Sequence, residues 1–269
     1  MTTIVTSLYD INRENLDGRS WELYLHWFEK TLQLKSPMVI FVDPSTKDFV
    51  ENCRKNTETL IIEEPLENAP YYHLKKLMDS VIESETYQSK VKDPARIECK
   101  SSLYNIIQYS KFGWVQRASE INPFNTNLFL WLDAGISRFF NSVELNIDKE
   151  YPSQNSISTI GDIKDKTVIQ IFLSYYPDLV NSTYLSSDYL LDNRSFVAGG
   201  IFMSHKDSIG RIKEAVDLVL EKEMLEKSIL NNEQIALGYL IKNNPDLFKA
   251  IPNIAGIHRD YEILKYLQA

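Results

Sequence analysis

The segment that most restricts how this chain can fold is Asn127-Leu128-Phe129-Leu130-Trp131-Leu132, followed at once by Asp133-Ala134-Gly135. A strand that is apolar at odd and even positions alike has no face to give to water. It needs cover on both sides, as a central strand of a mostly parallel sheet has. The upstream sequence supplies that setting. Residues 3–8 form a short β-branched, apolar run, and from Ser20 the residues Trp21, Leu23, Tyr24, Leu25, Trp27, Phe28, Leu32 and Leu34 recur near helical spacing. Pro37 forces an extended entry into a strand over 38–42. Residues 46–55 then read as a helix and 58–62 as a third strand. Alternation of this kind predicts an α/β fold with a mixed, mostly parallel sheet flanked by helices.

Asp93-Pro94 places a capping carboxylate before a proline at the first helical position, which predicts a helix from there through Tyr109. After Tyr151 the connections become rich in Ser, Asn and Asp. Strands are expected over 167–172 and 195–203, and helices over 207–227 and 233–242. The charged run over 221–227 reads as a solvated helix face.

Charge and composition exclude several functions. The 269 residues carry 29 Lys and Arg against 37 Asp and Glu, a net charge of −8, so a protein that coats phosphate backbones is not expected and no nucleic-acid partner is predicted. The longest apolar runs, 38–42 and 128–132, fall far short of the roughly 20 residues that cross a bilayer. The first residues lack a basic-then-apolar leader, so the cytoplasm is the expected compartment, with no transmembrane segment. Cys53 and Cys99 are too few for a disulfide framework and have no metal-like spacing. Neither GxGxxG nor GxxxxGK[ST] occurs, which moves dinucleotide oxidoreductases and P-loop NTPases out of the front rank.

Ligands of open α/β sheets sit beyond the carboxyl ends of the strands, where the strand order reverses. The polar residues at such ends are Thr6, Ser7, Tyr9 and Asp10 after the first strand, Asp43 after the second, and Asp133 after the apolar strand. The aromatic residues, among them 15 Tyr and 12 Phe, fall into two groups. Trp21, Trp27, Phe28, Phe129 and Trp131 lie in patterned core segments, whereas Tyr9, Tyr175, Tyr176 and Tyr184 lie at strand ends or in polar connections, where they could stack on flat ligands.

Three segments carry a family resemblance: 5–13 (Val-Thr-Ser-Leu-Tyr-Asp-Ile-Asn-Arg), 129–135 (Phe-Leu-Trp-Leu-Asp-Ala-Gly) and 198–202 (Ala-Gly-Gly-Ile-Phe). In this order and spacing they resemble the HtrL/YibB family and, more broadly, glycosyltransferases of the GT-A fold. The resemblance implies one GT-A-like, Rossmann-like domain over 1–269, with a nucleotide-binding half to about residue 135 and an acceptor half beyond it. It implies transfer of a sugar from a nucleotide diphosphate sugar, a UDP-sugar by expectation, to a carbohydrate acceptor in surface glycan synthesis. The alternative is a non-catalytic nucleotide- or glycan-binding protein on a degenerate GT-A fold.

Position by position, the resemblance assigns Thr6, Ser7, Tyr9 and Asp10 to the nucleotide pocket, with Tyr9 against the base. Arg13, with Arg19 beside it, is assigned to the diphosphate, and Lys100, in the helix before the apolar strand, to the sugar nucleotide. Leu132, Asp133, Ala134 and Gly135 occupy the Asp-X-Asp region. Asp133 matches its first acid and is expected to be catalytic and to hold a divalent metal, Mn or Mg, with His258 as a second ligand. Gly135 stands where the second acid would be. Gly199 and Gly200 are placed beside donor and acceptor, a simple strand bulge being the other reading. Glu233 and Gln234 resemble a pair at the reacting sugar, with Glu233 as base towards the acceptor hydroxyl or, alternatively, as a helix-start residue.

Overall fold

The structure, a computed structural model, describes residues 1–253 and 261–269. Strand β1 (Thr2–Leu8) is buried along its whole length. Helix α1 (Trp21–Thr31) follows, its first turn capped by Ser20, whose hydroxyl accepts from the Leu23 amide at 3.2 Å. Next come β2 (Met38–Val42), α2 (Lys47–Cys53) and β3 (Thr59–Glu63). The long helix α3 (Ser102–Ile121) leads into β4 (Leu128–Leu132). The second half adds β5 (Thr167–Phe172), β6 (Val197–His205), α4 (Ile209–Leu218), α5 (Glu233–Asn243) and β7 (Phe248–Asn253).

The seven strands form one sheet in the order β3-β2-β1-β4-β6-β5-β7. β3, β2, β1 and β4 are mutually parallel, β6 runs against both β4 and β5, and β7 is parallel to β5. The α/β fold with a mixed, mostly parallel sheet read from the sequence is the one observed. The chain leaves β1 towards β2 on one side and later returns to pair β4 on the other. The carboxyl ends of β1 and β4 therefore flank the point where strand order reverses.

The two faces of the sheet are packed differently. One face joins Val5, Phe41, Phe129, Trp131 and Phe202 to residues of α3 such as Tyr109, Phe112 and Trp114. The other joins Ile4, Ile40, Leu130, Leu132, Ile201 and Met203 to Phe28 and Leu32. Both faces of β4 are therefore covered, as its sequence requires.

Two expectations are corrected, and one strand is added. The helix expected from Asp93 begins instead at Ser102. Asp93 accepts from the Ala95 amide at 3.2 Å in an Asx turn, and a short 3-10 turn, Ile97–Cys99, follows, because Asp-Pro favours a turn as readily as a helix start. The helix expected over 207–227 is regular only to Leu218. It then widens into a π-helical turn (Val219–Met224) and a 3-10 turn, ending at Ser228 in the left-handed region (φ 55°). Strand β7 was not expected: Pro252 breaks its pattern, which an edge strand tolerates. Among the described residues no helix is long and apolar enough to cross a membrane.

Candidate active site

The loop after β1 turns sharply. The Asn12 amide donates to Asp10 Oδ1 at 2.7 Å, with Asn12 itself left-handed (φ 57°), and this brings Arg13 back towards the sheet edge. The Arg13 guanidinium pairs with Asp17, donates to the Tyr24 hydroxyl at 2.5 Å and lies 4.9 Å from the Tyr104 ring centroid. At the end of β4 the Asp133 amide donates to the Gly200 carbonyl at 2.9 Å, so the last residue before the turn is still tied to β6.

Behind Asp133 lies a charged cluster that sequence reasoning missed. Lys111 of α3 is almost wholly buried, and its Nζ donates to Glu233 Oε1 at 2.8 Å, to the Gly199 carbonyl at 3.1 Å and to Asp133 Oδ1 at 3.2 Å. Asp133 Oδ1 also accepts from the Trp131 indole at 2.7 Å. Burial pulls the Lys111 pKa down, but the charges of Asp133 and Glu233 outweigh it and leave the ammonium above its ordinary value. Glu233 is pushed up, first by burial and then by Asp133, with Lys111 opposing. The helical spacing of Tyr104, Ile107, Gln108 and Lys111 on α3 was the available signal, since all four line the same pocket.

That pocket opens between the ends of β1 and β4. It is lined by Ser7, Tyr9, Asp10, Arg13, Arg19, Lys111, Asp133, Ala134, Gly135 and Arg138, with Gln234 and Tyr261 at its far side. A second cleft adjoins it, walled by Trp27, Phe139, Phe172, Tyr175 and Tyr176 together with Arg96 and Asn193. Arg19, Arg138, Gln234 and Tyr261 belong to both. Their volumes are about 140 and 580 Å³. The first alone is smaller than the roughly 300–1,000 Å³ usual for small-molecule sites, and the four shared residues join it to the second. The Tyr261 hydroxyl, near Asp133, is pushed up to about 12 by burial and the Asp133 charge.

The predicted residues divide accordingly. Ser7, Tyr9, Asp10, Arg13, Asp133, Ala134, Gly135 and Gln234 line the first pocket. Thr6 and Leu132 do not line it: both are wholly buried in the sheet. Tyr9 already stacks on Trp114 (5.4 Å, 8° between planes), so one of its faces is unavailable to a base. Its pKa is raised, chiefly by burial. Lys100 is exposed on the turn before α3 and lines neither cavity, because the helix expected to carry it does not form there. Glu233 does not face a ligand either: its carboxylate points inward to Lys111, and the cap of α5 is Asn232, whose side chain accepts from the Ile235 amide at 3.2 Å. Gln234 is the member of that pair on the pocket wall.

Packing is tight at Gly199 and, less so, at Gly200. A Cβ on Gly199 would lie 2.2 Å from Glu233 Oε1 and 2.6 Å from Gln234 Cγ, and one on Gly200 would lie 3.1 Å from both Asp133 Oδ2 and the Tyr261 hydroxyl. Gly199 lets α5 close over β6. Tyr184 is exposed and lines neither cavity, whereas Tyr175 and Tyr176 line the second. His258 lies outside the described residues. Among the described residues no group of three His, Cys, Asp or Glu side chains is placed to hold a metal ion.

A family model described as "Bacterial protein of unknown function (HtrL_YibB)" matches residues 1–261. The chain belongs to the HtrL/YibB family. This HtrL/YibB chain is 23% identical over 261 residues to Protein HtrL of Escherichia coli (strain K12), a match covering 92% of this chain and 86% of HtrL. Among solved structures it aligns with apo mouse xyloside xylosyltransferase 1 (TM-score 0.44, 8% identity, 93% of this chain and 84% of that one). It also aligns with the 4-diphosphocytidyl-2C-methyl-D-erythritol synthase of Anaerococcus prevotii (TM-score 0.37, 10% identity, 100% and 96%).

Proposed function

We propose that this HtrL/YibB protein is a GT-A-like glycosyltransferase that binds a nucleotide diphosphate sugar in the pocket between β1 and β4 and a carbohydrate acceptor in the adjoining aromatic cleft. One observation carries the reading. In a chain of net charge −8, the pocket at the strand-order reversal gathers Arg13, Arg19, Lys111 and Arg138, and although Asp17 pairs with Arg13 and Lys111 is held by Asp133 and Glu233, Arg138 has no carboxylate partner among the described residues. Cations concentrated at such a sheet edge suit a diphosphate. Tyr175, Tyr176, Phe139 and Trp27 in the second cleft suit sugar rings, which stack their C–H faces on aromatic planes.

In the proposed reaction the bond from the anomeric carbon to the β-phosphate oxygen breaks, and its electron pair stays on the diphosphate. The acceptor oxygen bonds to that carbon and its proton leaves to water. Asp133, one-third exposed and oriented by Trp131 and Lys111, is the carboxylate that faces the donor, with Gln234 on the acceptor side. Holding both substrates and stabilising the departing charge is the chemistry such an arrangement supplies. A non-catalytic binding role is favoured by the inward-facing Glu233 and by Gly135 standing where a second acid would be.

Thermal stability measured with UDP, CDP, GDP and ADP and the matching diphosphate sugars tests the reading. At least one nucleotide is expected to raise Tm, and the matching sugar nucleotide to be slowly hydrolysed. A Tm unmoved by every nucleotide would sink the donor site. A Tm shift without turnover, even with carbohydrate acceptors added, would leave the binding role.

A further inference from the structure

The donor site just proposed needs something to offset the diphosphate charge, and the side chains around Gly135 identify it. Divalent cations are held by several oxygen ligands, commonly carboxylates. Asp133 Oδ1 is already shared between the Lys111 ammonium (3.2 Å) and the Trp131 indole (2.7 Å). Position 135 is a glycine and provides no second acid; a Cβ there would lie a tight 3.2 Å from Trp27 Cε3. A terminal nitrogen of Arg138 stands 3.5 Å from that same point. Among the described residues, then, the place of the second acid is taken by a guanidinium, and the donor set does not fit a divalent ion.

Arg138 differs from the other cations of the pocket. Arg13 pairs with Asp17, Arg19 lies 3.7 Å from Asp17, and Lys111 carries two carboxylates. Among the described residues, Arg138 has no carboxylate partner. Its guanidinium is held over the rings of Phe139 (4.7 Å) and Trp27 (5.4 Å), and it lines both cavities where they meet. A guanidinium oriented by aromatic faces and left without an anion is preset for bidentate bonding to phosphate oxygens.

We propose that Arg138 takes the place of the divalent cation in this protein, so that the nucleotide diphosphate is bound, and its leaving charge stabilised, without metal. This rests on the donor-site reading above. As the bond from the anomeric carbon to the β-phosphate oxygen breaks, the electron pair settles on that oxygen. The Arg138 N–H groups hydrogen-bond to it and lose no proton, and the acceptor's proton leaves to water as before.

Calorimetric titration of the full chain tests the proposal, with UDP, CDP, GDP and ADP and the matching nucleosides as probes, once in EDTA and once in Mn²⁺. The preferred diphosphate is expected to bind with affinities within about threefold of each other in the two buffers. Arg138→Ala is expected to weaken it by about 10- to 100-fold in EDTA, as the loss of charged hydrogen bonds predicts, and to leave nucleoside binding and Tm unchanged. Diphosphate binding that needs Mn²⁺ and vanishes in EDTA overturns the proposal while the donor site stands. So does an Arg138→Ala protein that binds the diphosphate as the wild type does in EDTA. Absence of binding by every nucleotide in both buffers overturns the donor site and this proposal together.

Discussion

The two faces of the sheet are equally buried but built from different materials. On the α3 side an aromatic series runs from Tyr9 through Trp114 (5.4 Å, 8°) and Trp131 (6.1 Å, 9°) to Phe202 (6.5 Å, 17°), with Phe112 stacked beyond it (5.1 Å, 15°). On the other side Ile4, Leu130, Leu132, Ile201 and Met203 make an aliphatic layer. These aliphatic strand residues contribute burial, while the rings packed around them, such as Tyr261 and Phe139, reach the cavities. The aromatic layer also aims polar groups: the Trp131 indole reaches Asp133, and the Lys111 ammonium lies 5.8 Å from the Trp131 ring centroid. Large flat side chains with few rotatable bonds fix direction as well as volume, and on the α3 face they aim the polar groups around Asp133.

Substitutions on the two faces should separate these roles. The largest effect is expected from Lys111→Met, which leaves the buried Glu233 carboxylate facing the partly exposed Asp133 with no cation between them. Breaking such a cluster costs about 3–5 kcal/mol, read as a lowered denaturant midpoint at pH 7. Because the folded Lys111 pKa lies above its ordinary 10.5, its contribution is complete below that pH and is lost as pH rises through the folded value. The gap between wild type and Lys111→Met should therefore close in alkaline buffer, and a gap that stays constant there would remove Lys111 from the account. Next, Leu130→Ala in the aliphatic layer should cost about 2–5 kcal/mol by leaving a cavity, with nucleotide affinity unchanged. Smallest in stability, Trp131→Phe keeps most of the ring but deprives Asp133 of a donor, at about 1–3 kcal/mol. It should nonetheless weaken nucleotide binding where Leu130→Ala does not. Equal effects on binding from both would end the distinction between the faces.

Much of this was legible in the sequence because short-range patterns determined it. β1, β2, β4 and β5 follow apolar runs, and the polar residues at the ends of β1 and β4 lie where the strand order predicts a pocket. The burial of Glu233 was not legible, because it depends on Lys111, 122 residues away, meeting it across Gly199. Lys100 was misplaced for a local reason: Asp93-Pro94 satisfies the rules for a turn and for a helix start equally, and only the packing of α3 decides between them. Arg138 gave no signal, since its value lies in having rings beneath it and no acid beside it.

The wall shared by the two cavities has a thermodynamic consequence. Arg19, Arg138, Gln234 and Tyr261 face both spaces, so a molecule that draws any of them towards one space reshapes the other. Linkage then fixes the relation between occupants: whatever factor the first changes in the affinity for the second, the second returns to the first. The coupling between the two spaces is accordingly a property of four side chains, open to measurement without knowing the rate of any reaction.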